Sequence, residues 1–142
     1  MNQNVIIADG RFIHDLANYG VIEIASTLSI GIQLSEFTLH ELDVNPRAMI
    51  MPLVKKQLVQ VNTFNGNQMA AIVAIMQQYH QCLSLADASV IYLLQVYPGA
   101  VLVSEEATLN QVAQAYKHSY KPFQWFFKQL DKTGITKKDI GH

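Results

Sequence analysis

Four acidic residues stand where short apolar runs and helical stripes would bring side chains together. Asp9 follows the run Asn4 to Ala8 (NVIIA) and precedes Gly10. Glu41 is the penultimate residue of SEFTLHEL, and Leu34, Phe37, Thr38 and Glu41 share a face at three- and four-residue helical spacing. Asp87 joins Leu83, Val90, Ile91 and Leu94 on another such stripe, and Glu106 follows the run AVLV and Glu105. Carboxylates gathered in one place repel, and burying an unpaired charge is costly, so such a cluster calls for cations. All-oxygen ligation suits Mg²⁺ or Mn²⁺, which can orient an attacking water and stabilise charge developing on a phosphate.

Each acid also has a purely structural reading. Asp9 suits a strand-to-helix turn. Glu41 could form a salt bridge with Arg47 or Lys55. Asp87, three residues after Ser84, could complete an arrangement like a capping box. Glu105 and Glu106 could simply be first-turn acids favoured by a helix dipole.

The elements that must position these groups are legible from pattern. NVIIA reads as a buried parallel strand stopping at Asp9. A helix begins over Phe12 to Ala17, breaks at Gly20 and resumes over Val21 to Leu28. Ile30 to Leu34 is a short strand, and Ser35 caps a helix that Asn45 and Pro46 end. Leu58 to Val61 is a further short strand, and Asn65-Gly66-Asn67 a turn. Helices follow over Gln68 to Tyr79 and from Ser84 to about Tyr97, where Pro98 and Gly99 stop the chain. Ala100 to Val103 is a strand, Thr108 to Lys117 a helix, and Pro122 to about Lys132 an aromatic-rich terminal helix. Alternating strands and helices imply a three-layer α/β/α sandwich around a mainly parallel sheet, with one domain over residues 1–142. Sites in such sheets form beyond the carboxyl ends of the strands.

The totals narrow the function classes. At 142 residues, half hydrophobic and 15% charged, the chain can bury a core and does not read as disordered. A net charge of −1 excludes a strongly basic coat for nucleic acid, although a local basic rim remains open. No apolar run reaches the roughly 18 to 20 residues of a membrane span, and the N-terminus lacks signal-peptide character, so a cytoplasmic protein without a membrane partner is expected. Cys82 is the one cysteine and reads as a buried filler. His14, His40, His80, His118 and His142 make no HxH or HExxH spacing, which disfavours a zinc hydrolase.

The segments VIIADGRFIHDLANYGVIEIASTL, IQLSEFTLHEL, LSLADASVIYLLQ and AVLVSEEATL together resemble the PIN-domain family, in the style of its compact prokaryotic members. The resemblance runs from Val5 to the helix after Leu109, and its most specific pieces are the LADA and VSEEATL segments. It implies metal-dependent cleavage of RNA phosphodiesters, with Asp9, Glu41 and Asp87 as the main catalytic and metal-holding acids and Glu106 as an auxiliary one. It implies Mg²⁺ or Mn²⁺ as cofactor, and Ser104 as a group that positions substrate or a water. Many such proteins are toxins of toxin–antitoxin pairs, so an antitoxin protein and a second copy of the chain are implied partners. Two positions depart from the family pattern. Glu106 stands where Asp is commoner, and Gly10 where Ser or Thr usually follows the first Asp. They motivate an alternative, a degenerate PIN domain that binds nucleic acid or protein without cutting. A receiver-like phosphotransfer domain is a third reading, and it lacks the strand-end Asp and Lys that chemistry would need.

Arg11, close after Asp9, is the best single candidate for a phosphate contact. Lys117, Lys121, Lys128, Lys132, Lys137 and Lys138 make the last third basic, either as a solvated face or as a guide for RNA. Phe123, Trp125, Phe126 and Phe127 could stack bases, but packing of the terminal helix is the preferred reading.

Overall fold

In the computed structural model, residues 3–27, 29–79 and 83–131 are described. His80, Cys82, Lys132, Lys137, Lys138 and His142, on which sequence readings fell, lie outside them.

The chain begins with β1 (Gln3–Ile7), α1 (Gly10–Asn18), α2 (Val21–Thr27) and β2 (Ile30–Ser35). Then come α3 (Glu36–His40), α4 (Val44–Lys55), β3 (Val59–Asn62), α5 (Gly66–Gln78) and α6 (Leu85–Val96). It ends with β4 (Val101–Val103), α7 (Ala107–Ala115), β5 (Ser119–Lys121) and α8 (Phe123–Asp131). The five strands form one sheet in the order β3-β2-β1-β4-β5, and every pairing is parallel.

Because strand side chains alternate between faces, β1 feeds two cores. Val5 and Ile7 join Phe12, Leu16, Ile22, Ile50 and Phe126 on one side, while Ile6 joins Ile72, Ile91, Leu102 and Leu109 on the other. Thus α1, α2, α4 and α8 cover one face and α5, α6 and α7 the other, giving the expected three-layer α/β/α sandwich. Among the described residues no helix is long and apolar enough to cross a membrane.

Strand order reverses at β1: the chain moves outward through β2 and β3, then returns to build β4 and β5 on the other side. The crevice beyond the carboxyl ends of β1 and β4 is therefore the place where such a sheet opens. Asp9 follows one of these strands and Ser104 to Glu106 follow the other.

Three expectations need correction. Asn45 and Pro46 do not mark the end of helical structure: α3 stops at His40, and α4 starts at Val44 with Pro46 in its first turn, where a missing N–H costs nothing. Asn65-Gly66-Asn67 is not a free turn. Asn65 caps α5 by accepting from Gln68 N–H (2.9 Å), and the Gln68 side chain accepts from Asn65 N–H (2.8 Å). Nor do Leu34 and Glu41 share a helix, since Leu34 lies in β2 and faces the first core.

Candidate functional site

The four acids reach the crevice by different local devices. Asp9 is the N-cap of α1, its Oδ1 accepting from Arg11 N–H at 2.8 Å. The turn reading of Asp9 thus holds for one carboxylate oxygen. Glu41 is the C-cap of α3 and is exposed. Its suggested salt bridge is not what Arg47 makes: Arg47 Nη2 donates to the carbonyls of Leu42 (2.7 Å) and His40 (3.4 Å), closing the turn between α3 and α4. Asp87 is half-buried in the first turn of α6, whose N-cap Ser84 accepts from Asp87 N–H at 3.1 Å. Glu106 is the N-cap of α7 and is exposed.

Asp9, Glu41, Asp87 and Glu106 line one pocket of about 430 Å³, together with Gly10, Ser104, Glu105 and Phe123. Among the described residues, no lysine or arginine lines it. The electrostatics follow from that. Although Glu41 is exposed overall, its pKa is raised by partial desolvation of the carboxyl and by the charges of Asp87 and Asp9. Burial raises that of Asp87, against an opposing pull from Ser84. Glu106 is raised by burial and by Asp87, with the Leu109 backbone pulling the other way. Asp87 acts on both glutamates, so it is the electrostatic centre of the cluster.

As donors, four carboxylates fit a hard divalent cation. Among the described residues, however, no three acidic, histidine or cysteine groups are placed to hold one ion as the side chains stand. What the fold supplies is the pocket and its charge rather than a closed ligand shell.

The surrounding residues divide the remaining work. Ser104 is buried; its Oγ accepts from Glu106 N–H (3.1 Å) and its own N–H donates to Lys121 O (3.0 Å). It shapes the turn after β4 and lines the pocket, with a hydroxyl proton left to donate. Glu105 Oε2 accepts from Phe123 N–H (3.1 Å), which ties the start of α8 to the same turn and separates the roles of the two adjacent glutamates. Arg11 is exposed and lies in an adjoining groove with His14, Asp15 and Asp43, which shares Glu41 with the acid pocket. His14 Nδ1 stands 3.8 Å from Asp15 Oδ1 in that groove.

Gly10 has a steric cause. A Cβ added there would lie 2.8 Å from Leu42 Cδ2 and 2.9 Å from Leu42 Cγ. A serine or threonine fits only if Leu42 shifts, and Leu42 directly follows Glu41.

Sequence reasoning missed a buried pair that registers two acid-bearing helices. Phe37 N–H donates to Ser35 Oγ (3.1 Å), the Ser35 and Ser89 hydroxyls are bonded to each other, and Ser89 Oγ donates to Ala86 O (2.6 Å). A hydroxyl carries one proton, so Ser35 is the donor to Ser89. The relay ties the start of α3, which leads to Glu41, to the first turns of α6, which carry Asp87. Both serines are fully buried, and in the sequence they look like a cap and an unremarkable helix residue. Ser89→Ala leaves the Ser35 proton without its acceptor and is expected to cost about 1–2 kcal/mol. Urea denaturation reads this as a lower midpoint; an unchanged midpoint would mean the relay contributes nothing.

No family model matches the chain, and no curated protein matches it in sequence. Among solved structures it is similar to the crystal structure of PAE2754 from Pyrobaculum aerophilum, at TM-score 0.59 and 17% identity. That match covers 93% of this chain and 99% of the other, so the two share their fold from end to end.

Proposed function

We propose that this chain is a Mg²⁺- or Mn²⁺-dependent ribonuclease of the PIN-domain kind. One observation carries the reading: four carboxylates from four separate elements line a single pocket at the reversal of strand order, and among the described residues no basic side chain lines it with them. Such a pocket is unfavourable by itself and becomes favourable around a cation.

Asp9, Glu41 and Asp87 would hold the ion, with Glu106 as the auxiliary acid. A bound Mg²⁺ or Mn²⁺ supplies positive charge against the charge developing on a phosphate, and orients a water. In the hydrolysis, the oxygen of water forms a bond to phosphorus as the bond from phosphorus to the leaving oxygen breaks. The attacking water loses its proton and the leaving oxygen gains one. Ser104 would donate its hydroxyl proton to substrate or water, and Arg11, one groove away, would contact a neighbouring phosphate. The toxin role, the antitoxin partner, the homodimer and the cytoplasmic setting follow from the family resemblance alone.

A second reading, a module that binds nucleic acid or protein without cutting, is favoured by the absence of a closed ligand shell among the described residues. Incubation with an unstructured RNA separates the two. The nuclease reading expects cleavage with Mn²⁺ or Mg²⁺ that stops when EDTA removes the metal. Cleavage indifferent to EDTA, or intact RNA at saturating metal, would reject it.

A further inference from the structure

The α8 aromatics do not all do the same thing. Phe126 is fully buried and packs edge-on against Phe12, and Trp125 and Phe127 also pack against that core. These three bear out the packing reading of the terminal helix. Phe123 packs against the same core and is half-buried like Trp125 and Phe127, and it differs in also lining the acid pocket beside Asp9, Ser104 and Glu105.

Two contacts fix this ring. Phe123 stacks on Phe12 with centroids 4.0 Å apart and planes 7° from parallel. Its backbone N–H is held by Glu105 Oε2, from the turn that also carries Glu106. Phe12 is itself buried, three residues after Asp9, and its neighbours in the core hold it. Phe12 covers one face of the Phe123 ring, and the half-buried residue also lines the acid pocket. A rigid, half-covered aromatic ring beside a phosphate-directed acid cluster suits a flat, apolar π-face joined to a phosphate.

From this juxtaposition we propose that Phe123 is a stacking platform for the nucleobase next to the phosphate held at the acids. The inference rests on the ribonuclease reading of the same pocket. A base inside a duplex is already stacked on both sides, whereas an unpaired base can be splayed onto a protein ring. Stacking on an aromatic side chain tolerates any base, because every base has a π-face. Phe123 therefore positions an unpaired base of the chain and does not read sequence.

The test uses the full chain and short single-stranded RNAs carrying 2-aminopurine at successive positions, with Ca²⁺ in place of Mn²⁺ to limit cleavage. Stacking quenches this fluorophore. Wild type is expected to quench it at one position, to bind a pre-annealed duplex of the same sequence more weakly, and to lose about tenfold in affinity when that nucleotide is made abasic. Phe123→Leu is expected to lose the quench and a similar factor in affinity, and Phe123→Tyr to keep both. The abasic RNA leaves the protein unaltered, so its result stands even where Phe123→Leu fails to fold. Equal binding of intact and abasic RNA, or of single strand and duplex, would overturn the proposal. Cleavage with Mn²⁺ separates the two levels. Active wild type with no position-specific quench sinks the platform and spares the nuclease, whereas a quench that needs Phe123 without any cleavage does the reverse.

Discussion

Asp87→Asn is expected to reduce Mn²⁺-stimulated RNA cleavage by about 100-fold or more, on the scale of removing one preorganised electrostatic group from an active site. The reason is position. Asp87 is the acid whose charge raises the pKa of both Glu41 and Glu106, and it lines the same pocket as both. Asparagine keeps the shape and removes the charge that a cation needs. Asp87 N–H still donates to Ser84, so the start of α6 keeps that capping bond. The variant is therefore expected to remain folded, with metal-free stability at neutral pH equal to wild type or higher. Cleavage at the wild-type rate would show that the pocket is not where RNA is cut.

The second large effect is on stability, through pH and metal. Glu41, Asp87 and Glu106 all have pKa values raised above their ordinary 4.5, 3.8 and 4.5. Between those ordinary values and the raised ones, the folded state holds more protons than the unfolded state. The contribution of these groups is thus fully present below the ordinary carboxylate range and is lost as pH rises through the raised values. Metal-free protein is expected to gain stability from this cluster as pH is lowered from neutral toward the ordinary carboxylate range. His118 opposes the trend, since burial lowers its pKa and the unfolded chain takes up that proton first. Comparison of wild type with Asp87→Asn cancels the histidine, and the variant is expected to show the shallower acid stabilisation. At neutral pH, Mn²⁺ at about 100 times its dissociation constant is expected to stabilise wild type by about 2.7 kcal/mol. Thermal melts with EDTA and with Mn²⁺ read both effects. Identical pH profiles for the two proteins, or no shift with Mn²⁺, would contradict the electrostatics described above.

Much of the fold is written in local pattern. NVIIA and AVLV could hardly be anything but buried strands, and Ser35 and Ser84 cap their helices as their types suggest. The helix α4 was hidden because its apolar residues do not gather on one face: Val44, Met49 and Met51 are exposed while Ile50 and Leu53 are buried, and two prolines punctuate the stretch. The strand β5 was hidden for a different reason. Its three residues are all exposed, so at the sheet edge no alternation of apolar and polar betrays it.

The acids were legible through their contexts, each at the end of a strand or on a helical stripe. Their convergence was not, because it depends on the reversal of strand order at β1, which is a tertiary fact. The same holds for Ser89, for Glu105 at the start of α8, and for the close approach of Leu42 to Gly10. Each of these contacts links segments that no local pattern relates.

The most direct test is a crystal of the protein soaked in Mn²⁺ at neutral pH, with anomalous scattering recorded at the manganese edge. A peak among the carboxylates of Asp9, Glu41 and Asp87, absent from crystals of Asp87→Asn, is the predicted result. A pocket without manganese at saturating concentration, or a peak that persists in Asp87→Asn, would contradict a cation site built from these acids.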